Sequence, residues 1–110
     1  MDTGILKYHP EFSVNADGTG GTRVVETDWS KFGIIPGGIS SWVGDNDGHG
    51  SNVASIACGN TQGWARAASI YSFNIIDPTL PTYTDPLSAY QTMLAWHNAC
   101  LLYTSDAADE

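Results

Sequence analysis

The sequence predicts an α/β fold in which helices flank a parallel sheet. Three observations support this expectation: small apolar residues at helical spacing after Gly50, a β-branched and aromatic run at residues 69–76, and a second amphipathic stretch after Asp85. The order helix, strand, helix is typical of parallel α/β architectures. In such folds the functional residues gather at the carboxyl ends of the strands.

Loops and turns are expected over residues 13–48, which are rich in Gly, Asp, Asn, Ser and Thr. Within this region, the short apolar patch at residues 23–26 is interpreted as a strand or as one arm of a hairpin. The segment Gly18-Thr19-Gly20-Gly21 has the composition of a phosphate-binding loop. Because no strand precedes it and no helical pattern follows, we interpret it as a turn.

A first helix is expected from Gly50 to Cys58, with Gly59 as its natural stop. Its apolar residues at helical spacing are Val53, Ala54, Ile56 and Ala57. Residues 69–76 are almost continuously apolar, which fits a strand covered on both faces of a parallel sheet. Cys58 is interpreted as a small buried group at the end of the helix.

A second helix is expected after Asp85, which offers an N-cap, and Pro86, which suits a first helical turn. The apolar residues at i, i+3, i+7 and i+8 are Leu87, Tyr90, Leu94 and Ala95. We expect these residues to form the apolar face of an amphipathic helix that ends near Asn98.

Composition excludes two classes of partner. The chain has 110 residues, enough for one domain, and a formal net charge of −8 with 4 Lys and Arg residues. So few cations do not suit binding to a phosphate backbone. No apolar run approaches the roughly 20 residues that cross a bilayer. We therefore expect neither a nucleic acid nor a membrane as a partner.

The most informative segment is residues 45–59, in which a histidine with a glycine on each side begins a helix of small residues. Upstream lie Asp2-Thr3-Gly4-Ile5 and His9-Pro10-Glu11-Phe12. Together these segments resemble the first two catalytic blocks of subtilisin-like serine proteases. The resemblance implies a partial subtilisin-like fold, catalytic roles for Asp2 and His49, and a protein or peptide substrate.

The residue types suit that chemistry. A serine protease needs a base that is neutral before attack and cationic while the tetrahedral intermediate exists. The positive end of a helix favours the neutral imidazole, and a carboxylate on the other ring nitrogen stabilises the imidazolium and fixes the tautomer. His49 and Asp2 fit these two roles, and Gly4, Gly48 and Gly50 allow tight backbone geometry around them.

The resemblance extends from Asp2 to about Ala99 and includes departures from the family pattern. Ser51-Asn52 stands where the family usually has Thr-His, and Trp64 replaces a small apolar residue. The Gly-Thr-Ser block that supplies the nucleophile in the family does not occur in this sequence. We therefore expect residues 1–99 to be part of a catalytic domain truncated at both ends. No cofactor is expected, and calcium, which some family members bind, has no assignable site.

The last eleven residues, 100–110, resemble one reading frame of a transposase-type sequencing adapter. We expect this segment to be an artefact of sequencing and not part of the fold.

The same residues suggest three other interpretations. The main alternative is a non-catalytic subtilase-like module with a structural or binding role, for example in a virion. Asp2-Thr3-Gly4 also occurs in aspartic proteases, but a glycine-flanked histidine helix has no place in that fold. An EF-hand at residues 43–54 is rejected because Val43 and Ala54 would occupy ligand positions. The sequence predicts neither oligomeric state nor localisation.

Overall fold

The computed structural model describes residues 1–27, 29–32, 44–45, 47–76 and 85–109. The elements in chain order are β1 (Val24–Val25), α1 (His49–Cys58), β2 (Ile70–Tyr71) and α2 (Pro86–Asp109). Two short 3₁₀ helices lie at Pro10–Phe12 and Trp29–Lys31. The described chain is thus a mixed α/β structure with a small parallel sheet and two helices.

The two strands pair in parallel, with Val24 opposite Ile70 and Val25 opposite Tyr71. Of the two interpretations of residues 23–26, the strand is confirmed at Val24–Val25, and the antiparallel pairing lies just before this range. Val24 and Val25 form a strand of the parallel sheet, whereas Thr22 pairs antiparallel with Ser13 across a turn that includes Gly18. The glycine-rich segment is therefore a turn, as predicted.

The strand expected at residues 69–76 is regular only at Ile70–Tyr71. Beyond it the chain changes partner: the Asp2 N–H donates to the Phe73 carbonyl, and the Ile75 N–H donates to the Asp2 carbonyl, both at 3.0 Å. The expected cover on both faces is wrong at Tyr71 and Ile76, which are 44% and 38% exposed.

Helix α1 confirms the prediction at its carboxyl end, and His49 lies at the helix start, as predicted. The Gly59 N–H closes the last turn by donating to the Ser55 carbonyl at 2.9 Å. Cys58 is buried, as expected. The helix packs through Ala54 against a first core cluster formed by Ile5, Phe12, Val24 and Ile70.

Helix α2 begins as predicted, since the Ser88 N–H donates to the Asp85 carboxylate at 3.2 Å. Its predicted end near Asn98 is wrong, because the helix continues to Asp109. The predicted apolar face is also wrong. Its four residues, Leu87, Tyr90, Leu94 and Ala95, are all exposed.

A different face of α2 packs against the second core cluster. The residues that contact Trp29 and Phe73 are Ala89, Met93 and Trp96, which follow one another at i, i+4 and i+7. The small Ala89 is 0% exposed and permits close approach of the helix, and the ring of Trp96 meets Trp29 edge-on at 5.6 Å. Because two faces of α2 carry apolar residues at helical spacing, periodicity alone selected the wrong one.

Arg23 joins the elements around the first core cluster. Its guanidinium, 8% exposed as a residue, donates five hydrogen bonds. The acceptors are the carbonyls of Glu11, Ser13, Cys58 and Ala68 and the side-chain oxygen of Asn60. The Cys58 carbonyl lies at the negative end of α1, where a cation is favourable. Among the described residues, the burial of this charge is thus offset by hydrogen bonds to carbonyl and amide oxygens.

Candidate active site

His49 is the first residue of α1, and its position follows from the backbone of Gly48. Gly48 has φ +94°, a left-handed conformation that glycine adopts without a steric penalty. The imidazole is 62% exposed, and its Nδ1 lies 2.7 Å from Oδ1 of Asp2. The structure therefore brings the two residues predicted as catalytic, 47 positions apart, into direct hydrogen-bond contact.

Asp2 is held at this position by both its backbone and its carboxylate. The backbone pairs with Phe73 and Ile75, as described above, so the residue is fixed against the segment that follows β2. The Thr3 N–H donates to Asp2 Oδ1 at 2.7 Å, and the carboxylate is 26% exposed. Oδ1 therefore accepts hydrogen bonds from Thr3 and, when Nδ1 carries a proton, from His49.

The protonation states of the pair depend on each other. Burial acts to raise the pKa of Asp2, but the hydrogen bonds from His49 and from the Thr3 N–H outweigh it, so the pKa lies below its ordinary value. The hydrogen bond to Asp2 and the charge of Asp2 raise the pKa of His49, and the charges of Asp47 and Asp45 add to this effect. Asp2 thus stabilises the imidazolium form of His49.

Two glycines allow the start of α1 to contact the Asp2 segment closely. A Cβ on Gly50 would overlap the carbonyl of Gly4, and a Cβ on Gly4 would overlap the carbonyl of Gly44. Gly4 also has φ +108°, which disfavours any other residue. The predicted need for glycine is confirmed at Gly4 and Gly48 by their positive φ, whereas Gly50 is required because the backbones approach closely.

Sequence reasoning missed two residues that connect these segments, Thr3 and Asp45. The Gly50 N–H donates to Thr3 Oγ1 at 2.9 Å, and the Thr3 hydroxyl donates in turn to Asp45 Oδ1 at 2.9 Å. Asp45 also accepts from the backbone N–H groups of Gly48 and Ser51 at 2.8 and 2.9 Å. An aspartate four residues before a helix-initial histidine was the available signal, because such a carboxylate suits the positive end of a helix.

Nδ1 of His49 contacts Asp2, so Nε2 is the ring nitrogen left for a reacting group. Within residues 1–27, 29–32, 44–45, 47–76 and 85–109, no hydroxyl or thiol is hydrogen-bonded to Nε2.

The same described residues contain no group of three or more His, Cys, Asp or Glu side chains arranged to hold a metal ion. No helix in the described part of the chain is long and apolar enough to cross a membrane.

No protein-family model, no curated protein and no solved structure matches this chain. Its function is therefore inferred from the Asp2–His49 pair, the glycines that permit its geometry, and the sequence pattern around both residues.

Proposed function

We propose that the chain is part of the catalytic domain of a subtilisin-like serine endopeptidase and supplies the aspartate and the histidine of its triad. The observation that supports this most strongly is the 2.7 Å contact between His49 Nδ1 and Asp2 Oδ1, with the histidine on the first turn of a helix. The parallel pairing of β1 and β2 is compatible with this fold.

In the proposed reaction, Asp2 holds the neutral His49 in the tautomer that carries its proton on Nδ1. Nε2 then accepts the proton of a serine hydroxyl as the serine attacks the scissile carbonyl. Asp2 stabilises the resulting imidazolium, which returns the proton to the leaving amine as the acyl-enzyme forms. Water completes peptide-bond hydrolysis by the same proton transfers in reverse order.

The nucleophile is proposed to come from the full-length protein, in residues beyond Ala99. We expect the 110-residue chain itself to show no turnover of casein or of fluorogenic peptides. Robust activity of this chain that His49→Ala abolishes would contradict this part of the proposal.

The proposed function is tested on the protein that the source DNA encodes across codon 99, read by long-read sequencing without transposase adapters. We expect the reading frame to continue to an asparagine for the oxyanion hole and to a Gly-Thr-Ser block. A fluorophosphonate should then label that serine covalently in the expressed extended protein. Asp2→Asn or His49→Ala should slow labelling by about 10³-fold or more.

The matched control is His97→Ala, which changes an exposed histidine on α2 and should leave the labelling rate unchanged. A folded extended protein that is not labelled would contradict the proposal, as would a stop codon directly after Glu110. Either result would favour the alternative, a non-catalytic module with a structural or binding role.

A further inference from the structure

We propose that Asp45 is a positioning residue, which holds the Asp2 segment against the start of α1 through Thr3 and thereby fixes the distance between Asp2 and His49. This inference rests on the proposed roles of Asp2 and His49. It concerns the geometry of the pair, however, and can be tested without turnover.

Asp45 contacts the start of α1 with both carboxylate oxygens. Oδ1 accepts from the N–H groups of Asp47 and Gly48 at 3.1 and 2.8 Å, and Oδ2 accepts from the Ser51 N–H at 2.9 Å. The first N–H groups of a helix have no partner within the helix, so a carboxylate placed there satisfies them and interacts favourably with the helix dipole. Asp45 thus fixes the backbone on both sides of His49.

Thr3 connects this arrangement to Asp2. Its hydroxyl donates to Asp45 Oδ1 and accepts from the Gly50 N–H, both at 2.9 Å, while its own N–H donates to the Asp2 carboxylate at 2.7 Å. We call these contacts of Thr3 with Asp45 and Gly50 the Thr3–Asp45 bridge. Because Thr3 is covalently next to Asp2, and Gly50 next to His49, the bridge limits relative movement of the two functional residues.

The electrostatic state of Asp45 is consistent with this role. Burial acts to raise the pKa of Asp45, but the hydrogen bonds from Gly48, Ser51 and Thr3 outweigh it and hold the pKa well below its ordinary value. Asp45 is therefore ionised throughout the pH range in which His49 titrates. A neutral amide at this position retains an acceptor oxygen, but it loses the charge and one of the two acceptors.

The test is a double-mutant cycle read by the pKa of His49 in the whole chain, measured from its ring resonances by NMR. The coupling is the difference in His49 pKa between a protein with Asp2 and the same protein with Asp2→Asn. We expect a clear coupling in the wild-type chain and its loss in the Asp45→Asn background. A coupling that persists unchanged with Asp45→Asn would overturn the proposal.

Asp47→Asn is the matched control, because Asp47 also lies near His49 and its charge also raises the pKa of His49. In the described hydrogen bonds, Asp47 contacts Asp45 through its backbone N–H, so its side chain is not part of the bridge. Asp47→Asn should lower the pKa of His49 while leaving the Asp2 coupling intact. Equal loss of coupling in both variants would show a charge effect alone and would overturn the proposal.

Thr3 provides a second pair of variants that leaves Asp45 and its contacts with Gly48 and Ser51 in place. Thr3→Ser keeps the hydroxyl and should keep the coupling, whereas Thr3→Val removes the hydroxyl and should lose it. The indole N–H resonance of Trp29, which donates to the Ser72 carbonyl, reports whether each variant retains its core. Retained coupling in a folded Thr3→Val variant would contradict the role of the bridge.

These results are independent of catalysis. If the extended protein fails to react with fluorophosphonate while the coupling still requires Asp45, the bridge positions Asp2 and His49 and only the proposed activity fails. If labelling succeeds while the coupling ignores Asp45, the protease proposal stands and the positioning role fails.

Discussion

Replacing Arg23 with methionine should strongly destabilise the folded chain. The guanidinium satisfies four carbonyls from three separate segments, and methionine keeps much of the aliphatic stem while removing every donor. The carbonyls of Ser13 and Cys58 accept from Arg23 at buried positions, at 3.0 and 2.6 Å. In the variant, the Cys58 carbonyl has no other described donor and lies where water does not readily reach, whereas the Ser13 carbonyl keeps the Asn60 side-chain N–H at 3.1 Å.

The size of the effect follows from the Cys58 carbonyl. A buried polar group left without a partner costs about 1–3 kcal/mol, so the loss of this donor alone implies a destabilisation of about 1–3 kcal/mol. Small domains are typically stable by only about 5–15 kcal/mol, so this loss is a large fraction of the total.

The free energy of unfolding is measured by urea titration, followed by circular dichroism and by the fluorescence of the buried Trp29. The matched control is Arg66→Met, because Arg66 is exposed and its described hydrogen bond goes to the Gly63 carbonyl. The control should change stability by less than about 1 kcal/mol. A loss below about 1 kcal/mol for Arg23→Met, or equal losses in both variants, would refute the reasoning.

Three further predictions concern α2, the glycine contact and Asp45. Trp96→Ala should lower the free energy of unfolding by about 3 kcal/mol in urea titrations, because Trp96 packs against the second core cluster, whereas Leu94→Ala should lower it by less than about 1 kcal/mol, because Leu94 is exposed. A larger loss for Leu94→Ala than for Trp96→Ala would contradict the packing of α2 through Ala89, Met93 and Trp96. Gly50→Ala should destabilise by about 1–3 kcal/mol because its Cβ would overlap the Gly4 carbonyl, and a more stable variant in thermal unfolding would contradict that close approach. The pKa of Asp45 is depressed in the folded chain, so its carboxylate contributes stability above pH 3.8, and this stability is lost as the pH falls below this value. The difference in free energy of unfolding between wild type and Asp45→Asn should therefore shrink on acidification, and a difference that stays constant would contradict this prediction.

Helix α1 was predictable because all its signals are local. The apolar spacing, the small residues and the stop at Gly59 lie within one short segment, and the observed helix, His49–Cys58, has His49 at its start as predicted. Helix α2 was predictable in its start but not in its orientation, because Trp29 and Phe73 select the face that packs. Such a choice depends on distant residues and not on the periodicity of the helix itself.

The candidate site divides in the same way. Asp2 and His49 were predicted from sequence patterns that include their immediate neighbours. Thr3 and Asp45, by contrast, lie 42 positions apart, and neither residue type indicates a contact with the other. Arg23 gave no sequence signal either, because its partners are mostly backbone carbonyls, which every residue carries.

The most direct measurement of the central claim, that Asp2 and His49 form an acid–base pair, is the pKa of His49 in the wild-type chain and in Asp2→Asn. Because Asp2 raises the pKa of His49, the pair contributes stability at pH values below 6.5, and this is lost as the pH rises through the folded pKa. The account predicts a wild-type pKa above 6.5 that falls in Asp2→Asn. A pKa near 6.5 that Asp2→Asn leaves unchanged would contradict it.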